Sequence, residues 1–187
     1  MTAFRNTATA TPSINPYFAL LMGVMAVSTG AIFARLASEA PPLVIAAYRV
    51  GLASLIIVPF ALLKVGNELA SLSKRDLGLG LLSGLFLALH FGTWISSLNY
   101  TSVANSVVLV NTNPLWVGLL TPLITKERLK PGVIFGILLS VSGGVIIGAG
   151  DFFHGGTALW GDALALMGGL CAAGYLLLGR SLRRRLS

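Results

Sequence analysis

The stretch from Leu77 to Leu98 reads LGLGLLSGLFLALHFGTWISSL and contains no Asp, Glu, Lys or Arg. Its length matches the ~20 residues that an α-helix needs to cross the hydrocarbon core of a bilayer. Five more apolar stretches of similar length fill most of the chain: Tyr17 to Ala37, Leu43 to Leu63, Val103 to Thr125, Val133 to Gly150 and Leu159 to Gly179. We therefore predict an all-α integral membrane protein with six transmembrane helices.

The amino-acid composition agrees with a membrane location. Of the 187 residues, 55% are hydrophobic and 10% are charged, and the mean hydropathy is +0.85. Soluble domains carry roughly a quarter charged residues, so this usage is far from theirs. We expect the lipid bilayer to surround nearly the whole chain.

The basic residues lie in every second gap between the apolar stretches. They are Arg5 before the first stretch, Lys64, Lys74 and Arg75 after the second, Lys126, Arg128 and Lys130 after the fourth, and Arg180, Arg183, Arg184 and Arg185 after the sixth. Of the alternate gaps, the first holds Glu39, the one around Tyr100 is uncharged, and the last holds Asp151 and Asp162; only Arg35, at the outer end of the first stretch, breaks the pattern. Because Lys and Arg favour cytoplasmic loops, this pattern predicts a multi-pass protein of the cytoplasmic (inner) membrane with both termini in the cytoplasm.

The net charge of +7 does not indicate a nucleic-acid partner, because the basic residues are dispersed and no binding module accompanies them. The single cysteine, Cys171, lies within the sixth stretch, where a small packing residue is the plainer interpretation. Within the spans, no second His and no carboxylate lies at metal-ligand spacing from His90. The spans also lack the combination of acid, base and nucleophile that an enzyme site needs. We predict no metal site, no cofactor and no enzymatic activity.

Small residues recur every four positions in two of the stretches. The third stretch has Gly80, Gly84, Ala88, Gly92 and Ser96, and the fifth has Gly132, Gly136, Ser140 and Gly144. Small faces of this kind let helix backbones approach closely within lipid. We expect both faces to pack against neighbouring helices.

Polar side chains inside the spans are the candidate functional residues, because hydrocarbon penalises them unless they face water or the bundle interior. Arg49 lies about a third of the way into the second stretch from its outer end. One interpretation is that its side chain extends to the outer interface; the other is that it attracts an anion or forms part of a gate.

The third stretch carries His90, Trp94 and Ser97 at i, i+4 and i+7, so the three share one helix face. His90 is either a satisfied interior group or a proton-sensitive site, and Trp94 is either packing or part of a cavity. No carboxylate lies deep in a span to relay protons.

The fourth stretch is the most polar, with Asn105, Asn111 and Asn113 ahead of Pro114, and with Pro122 further on. A proline inside a helix leaves the carbonyl four residues earlier without its usual donor, so we expect kinks at both prolines. Broken helices with free backbone groups form the binding sites of many transporters. Hydrogen bonding between helices is the alternative role for the three asparagines.

Four runs of this sequence resemble the EamA family of the drug/metabolite transporter superfamily: GVMAVSTGAIFARLASEAPPLVIAAYRVGLASL, LHFGTWISSLNYTSVANSVVLVNTNPLWVGLL, TKERLKPGVIFGILLSVSGGVII and GDALALMGGLCAAGYLLLGRSL. The resemblance depends on an ordered set: Arg49 in the second helix, SLNYTSVAN at Ser97 to Asn105, Pro114 in the fourth helix and KER at Lys126 to Arg128. It implies an exporter or permease of small metabolites or drugs, built from two inverted five-helix repeats and working by alternating access. Arg49, His90, Trp94, Asn105, Asn111 and Asn113 are then the candidate substrate contacts.

The resemblance also predicts how the chain is divided. Residues 1–15 form a cytoplasmic tail, residues 16–150 form one five-helix repeat, and residues 151–187 form the first helix of an incomplete second repeat with a basic tail. A cavity between two repeats would need a homodimer or a partner chain to complete it. The alternative is a truncated protein that inserts in the membrane without transporting anything.

Overall fold

The computed structural model describes residues 15–125, 129–154 and 156–183, and these ranges contain helices and no strand. The KER sequence, residues 1–14 and residues 184–187 lie outside the described residues. Seven helices follow in order: α1 (Pro16–Leu36), α2 (Pro42–Ala70), α3 (Lys74–Ser97), α4 (Val103–Val110), α5 (Asn113–Thr125), α6 (Pro131–His154) and α7 (Ala158–Arg183). This order confirms the predicted all-α fold.

Six spans account for the seven helices, because α4 and α5 together form the fourth predicted span. Five segments are long and apolar enough to cross a membrane: Pro16–Leu36, Pro42–Gly66, Lys74–Ser97, Val103–Leu123 and Ala158–Arg183. In α6, the apolar segment Pro131–Ile146 is shorter. The architecture is therefore that of an integral membrane protein.

The outward surfaces of these helices are strongly apolar. Side chains such as Leu63, which is 85% exposed, and Leu123, which is 77% exposed, face outward with no protein neighbour to cover them. In water, apolar surface of this extent leads to association. In a bilayer the lipid tails are the solvent, and the helices satisfy their backbone hydrogen bonds internally.

The interior of the fold is organised around α7. This helix makes its most extensive contacts with α3 and further contacts with α4, α5 and α6. Its inner face is formed by small residues: Gly161, Ala165, Gly168, Gly169, Cys171, Ala172 and Ala173 are all buried. Small side chains let α7 lie close to the backbones of its neighbours, where dispersion contacts replace the hydrophobic drive that lipid lacks.

The small faces predicted for α3 and α6 pack only in part: a Cβ on Gly92 would lie 3.3 Å from Cδ2 of Leu43, and one on Gly144 would lie 3.9 Å from Cδ2 of Leu109. A Cβ atom built on Gly80 or Gly84 meets nothing within 4 Å, and Gly132 and Gly136 of α6 are equally open. Close helix approach depends instead on α7, where a Cβ on Gly174 would lie 2.7 Å from the Phe86 ring. A periodic pattern identifies a small face, but only the tertiary arrangement decides which neighbour occupies it.

Candidate functional site

Arg49 of α2 lies where three helices meet. Its guanidinium carbon is 4.9 Å from the ring centroid of Phe91 and 5.5 Å from that of Trp94, both on α3. On the α1 side, a Cβ atom on Gly30 would lie 2.6 Å from Nη1 of Arg49. Cation–π attraction to the two rings thus holds the guanidinium in place. The absence of a side chain at Gly30 leaves the space that the guanidinium occupies.

His90 connects this cluster to α7. Its ring stacks on the Trp94 ring, with the ring centroids 5.9 Å apart and the planes inclined by 17°. The centroids of the His90 and Phe91 rings are 4.7 Å apart. Its Nδ1 atom lies 2.9 Å from the carbonyl oxygen of Gly168. Because a carbonyl only accepts hydrogen bonds, the bond requires the proton on Nδ1, which assigns the tautomer of a neutral ring.

Trp94 is the most enclosed member of the cluster, with 6% of its surface exposed. Its indole Nε1 is buried and finds no acceptor among the described residues. Buried donors without an acceptor are uncommon in proteins, and each costs free energy. The hydrogen-bonding capacity of the indole N–H is therefore unused within the described residues.

The fourth span breaks beside this cluster. α4 begins after Ser102, whose side chain accepts a hydrogen bond from the backbone N–H of Asn105. It ends at Val110, and α5 starts at Asn113 with Pro114 as its second residue. Pro114 has no N–H to offer the carbonyl of Val110, so the chain starts a new helix at the place where that donor is missing. Further on, α5 continues through Pro122 to its end.

α7 lies directly against this break. A Cβ atom on Gly169 would lie 2.9 Å from the carbonyl oxygen of Val110 and 3.1 Å from Oγ1 of Thr112. The Thr112 hydroxyl donates to the carbonyl of Leu109 over 2.6 Å, which satisfies part of the exposed backbone. Only a glycine leaves the space for α7 to approach this carbonyl so closely.

The structure brings Arg49, His90 and Trp94 together, whereas the three asparagines lie on α4, on α5 and in the break between them. Asn111 is exposed, and its side chain donates to the carbonyl of Val107 in its own helix, over 2.8 Å. Asn105 lies in the first turn of α4 and Asn113 begins α5, and both are half-buried.

Sequence reasoning named Ser97 but missed that it forms a buried pair of hydroxyls with Ser106 next to Trp94. Ser97 and Ser106 are fully buried with their Oγ atoms 2.6 Å apart, and Ser97 Oγ donates to the Trp94 carbonyl over 2.6 Å. The single hydroxyl proton of Ser97 is thereby used, so Ser106 donates to Ser97. The pair fastens the start of α4 to the end of α3. Its only sequence signal is one serine on each side of the SLNYTSVAN corner.

Asp162 was assigned to a loop from the sequence, and this was wrong. It lies in the second turn of α7 and is 5% exposed. A Cβ on the adjacent Gly161 would be 2.7 Å from the backbone nitrogen of Thr101, so this end of α7 packs against the corner between α3 and α4. Within the described ranges, no group of three His, Cys, Asp or Glu side chains is placed to hold a metal.

Comparison with known proteins identifies the family. The model of the EamA-like transporter family matches residues 15–149. The chain belongs to the EamA-like transporter family. This confirms the resemblance drawn from the sequence, and it identifies the chain as a multi-pass protein from a family of membrane transporters.

Two relatives carry transporter names. A protein of Archaeoglobus fulgidus named uncharacterized transporter is 32% identical over 145 residues, which cover 75% of this chain and 48% of the relative. The uncharacterized transporter YyaM of Bacillus subtilis is 25% identical over 138 residues, covering 72% of this chain and 45% of the relative. The chain thus spans about half the length of the curated relatives it matches. No solved structure matches it.

Proposed function

We propose that this EamA-like chain carries small metabolites or drugs across the cytoplasmic membrane by alternating access. The observation that supports this best is the meeting of Arg49, His90 and Trp94 within the membrane-spanning helices, beside the broken fourth span. A charged residue within a spanning helix costs up to ~2.5–3.5 kcal/mol on insertion scales, the value for the helix centre, and Arg49 lies about a third of the way along its stretch. Polar groups placed there at such a cost are typical of substrate pathways.

The packing of α7 supplies the part that would move. Its contact with the break in the fourth span runs through Gly169, which presents no side chain to interlock. Helices that meet along such smooth faces can shift by small translations at little cost in packing. We propose that α7 and the α4–α5 break change their relative position when the cavity opens to alternate sides.

A complete cavity needs a second wall opposite the repeat of residues 16–150. We propose that a partner chain or another repeat supplies it, as in transporters built from inverted repeats, because the charge bias of this chain favours a single orientation. Native mass spectrometry in detergent distinguishes an oligomer from a single chain. A strict monomer without transport activity would favour the alternative of a non-transporting protein.

The proposed membrane and orientation have a separate test. We propose that the chain lies in the cytoplasmic membrane and that both termini lie in the cytoplasm, following the positive-inside pattern. Fusions of alkaline phosphatase and of green fluorescent protein to each terminus report the side. Phosphatase activity at either terminus would contradict this topology.

The transport experiment uses inverted membrane vesicles containing the full chain and a panel of radiolabelled amino acids, amines, nucleobases and sugar derivatives. Accumulation of one class, lost in His90→Ala and in Arg49→Ala with insertion unchanged, supports the proposal. Ser142→Ala is the matched control, because Ser142 is exposed on α6 and its hydroxyl bonds only the carbonyl of Leu138. Accumulation that is unaffected in both site variants would remove this cluster from the pathway.

A further inference from the structure

The charge of Arg49 has no counter-ion in the part of the chain that the structure describes. Its contacts there are the two aromatic rings, and its Nη1 atom occupies the space beside Gly30 that a side chain would fill. Aromatic faces attract a cation but leave its N–H donors unused. An arginine fork is shaped to donate two parallel hydrogen bonds to a carboxylate or a phosphate.

A second donor adjoins this arginine without an acceptor of its own. The indole Nε1 of Trp94 is buried and has no hydrogen-bond partner within the described ranges, and the Trp94 ring lies under the guanidinium. The two groups share one requirement, since both can only donate. A ligand that satisfies them must present acceptor atoms, and negative charge on those atoms satisfies Arg49 as well.

Arg49 also lines an apolar cavity between α2 and α3. The cavity has a volume of about 250 Å³. Its other walls are mainly hydrocarbon: Val50, Ala53, Ile57 and Val58 on α2, and Leu87 and Phe91 on α3. Pockets for drug-sized ligands run from about 300 to 1,000 Å³, so this cavity suits a smaller body.

We propose that the site selects a small monocarboxylate with an apolar body. The carboxylate binds the Arg49 guanidinium and the Trp94 indole N–H, and the apolar body enters the cavity between α2 and α3. This inference rests on the proposed function for its biological role, because it names the substrate class of the same site. Its binding step is measured without transport.

The test measures equilibrium binding to the full chain in nanodiscs of neutral phosphatidylcholine. Tritiated 3-phenylpropionate is the probe, and its uncharged amide, of nearly the same shape, is the competitor. A hydrogen bond to a charged group contributes about 1.5–3 kcal/mol, which corresponds to at least tenfold in affinity. We expect the carboxylate to bind at least tenfold more tightly than the amide.

Three variants locate the source of that preference. Arg49→Gln should bring the carboxylate and the amide to equal affinity, whereas Arg49→Lys should keep part of the preference because it keeps the charge. Trp94→Phe keeps an aromatic face under the guanidinium and removes the N–H, so carboxylate affinity should fall several-fold. Lys130→Gln, a loss of charge outside the site, should leave the preference unchanged.

The proposal is overturned if the amide competes equally with the carboxylate, if Arg49→Gln keeps the preference, or if no Arg49-dependent binding of the probe is found. Palmitate serves as a third competitor, and displacement by palmitate with no binding of short carboxylates would identify a lipid chain as the occupant, which also overturns it. Carboxylate binding without flux contradicts the transport function and leaves this inference standing. Flux of neutral solutes only supports the transport function and overturns this inference.

Discussion

The Nδ1 atom of His90 lies 2.9 Å from the carbonyl oxygen of Gly168, and this bond joins α3 to α7 in the centre of the bundle. A Cβ atom on Gly168 would lie 3.2 Å from Oγ1 of Thr93 and 3.3 Å from Cβ of Trp94. The close approach that brings the carbonyl within reach of His90 thus depends on the absence of a side chain at position 168. The hydrogen bond also fixes the orientation of the imidazole ring.

His90→Phe tests the contribution of this bond separately from the stacking of the ring. Phenylalanine keeps an aromatic ring against Trp94 but has no donor for the Gly168 carbonyl. We expect a loss of about 0.5–1.5 kcal/mol in stability, the usual net value of one hydrogen bond, measured by reversible unfolding in dodecyl sulfate. His90→Ala should cost more, because it also removes the ring. Equal losses in the two variants would mean that the stack contributes nothing.

Gly169→Ala should destabilise the bundle, because its Cβ would lie 2.9 Å from the backbone oxygen of Val110, which cannot rotate away. Overpacking of this kind costs about 1–3 kcal/mol. Thermal unfolding of the purified protein measures it. Gly136→Ala is the matched control, since nothing lies within 4 Å of its Cβ; there the higher helix propensity of alanine should be neutral or stabilising. Similar effects at the two positions would contradict the close approach of α7 to the break.

Gly30→Ala should act on the site more than on the fold. The new methyl group would lie 2.6 Å from Nη1 of Arg49, and a guanidinium on a flexible stem can move aside. We expect a small change in thermal stability, together with a several-fold loss of binding of the carboxylate probe. Gly23→Ala, on the same helix and with nothing within 4 Å, should preserve both. Full binding in Gly30→Ala would show that the position of the guanidinium does not matter to the ligand.

The buried hydroxyl pair predicts an asymmetry between two serine substitutions. Ser106→Ala leaves Ser97 bonded to the Trp94 carbonyl and should cost about 0.5–1.5 kcal/mol. Ser97→Ala strands the buried hydroxyl of Ser106 without its acceptor, and should cost about 1–3 kcal/mol. Unfolding of both variants and of the double variant gives the coupling between the two residues. A larger loss in Ser106→Ala would reverse the assigned direction of the hydrogen bond.

Cys171 is buried in the face of α7 that packs on its neighbours. Its thiol should therefore react slowly with N-ethylmaleimide in the folded protein and quickly after unfolding in dodecyl sulfate. Mass spectrometry of the intact chain follows the added mass over time. Rapid labelling of the folded protein, under conditions where its helix content is unchanged, would contradict the packing of this face.

The fold class could be read from the sequence because it depends on local properties. Apolar stretches of bilayer length specify spanning helices wherever they occur. The break before Pro114 is local in the same way, since a missing N–H affects only the carbonyl four residues earlier. Arg49, His90 and Trp94 could be named as candidates because charged and polar groups are costly in hydrocarbon, whatever their neighbours are.

The relations between distant residues required the tertiary structure. His90 and Gly168 are 78 positions apart, and no period in the sequence connects them. The space that Gly30 leaves for Arg49 and the burial of Asp162 likewise depend on which helices become neighbours. The small residues of α3 and α6 resemble those of α7, yet only α7 uses its small face to approach other backbones closely. The sequence by itself determined the spans, the family and the candidate residues for a site. The packing of α7 against α3 and against the broken span decided which of these residues meet. Close contact is a property of a pair of helices and not of either helix alone.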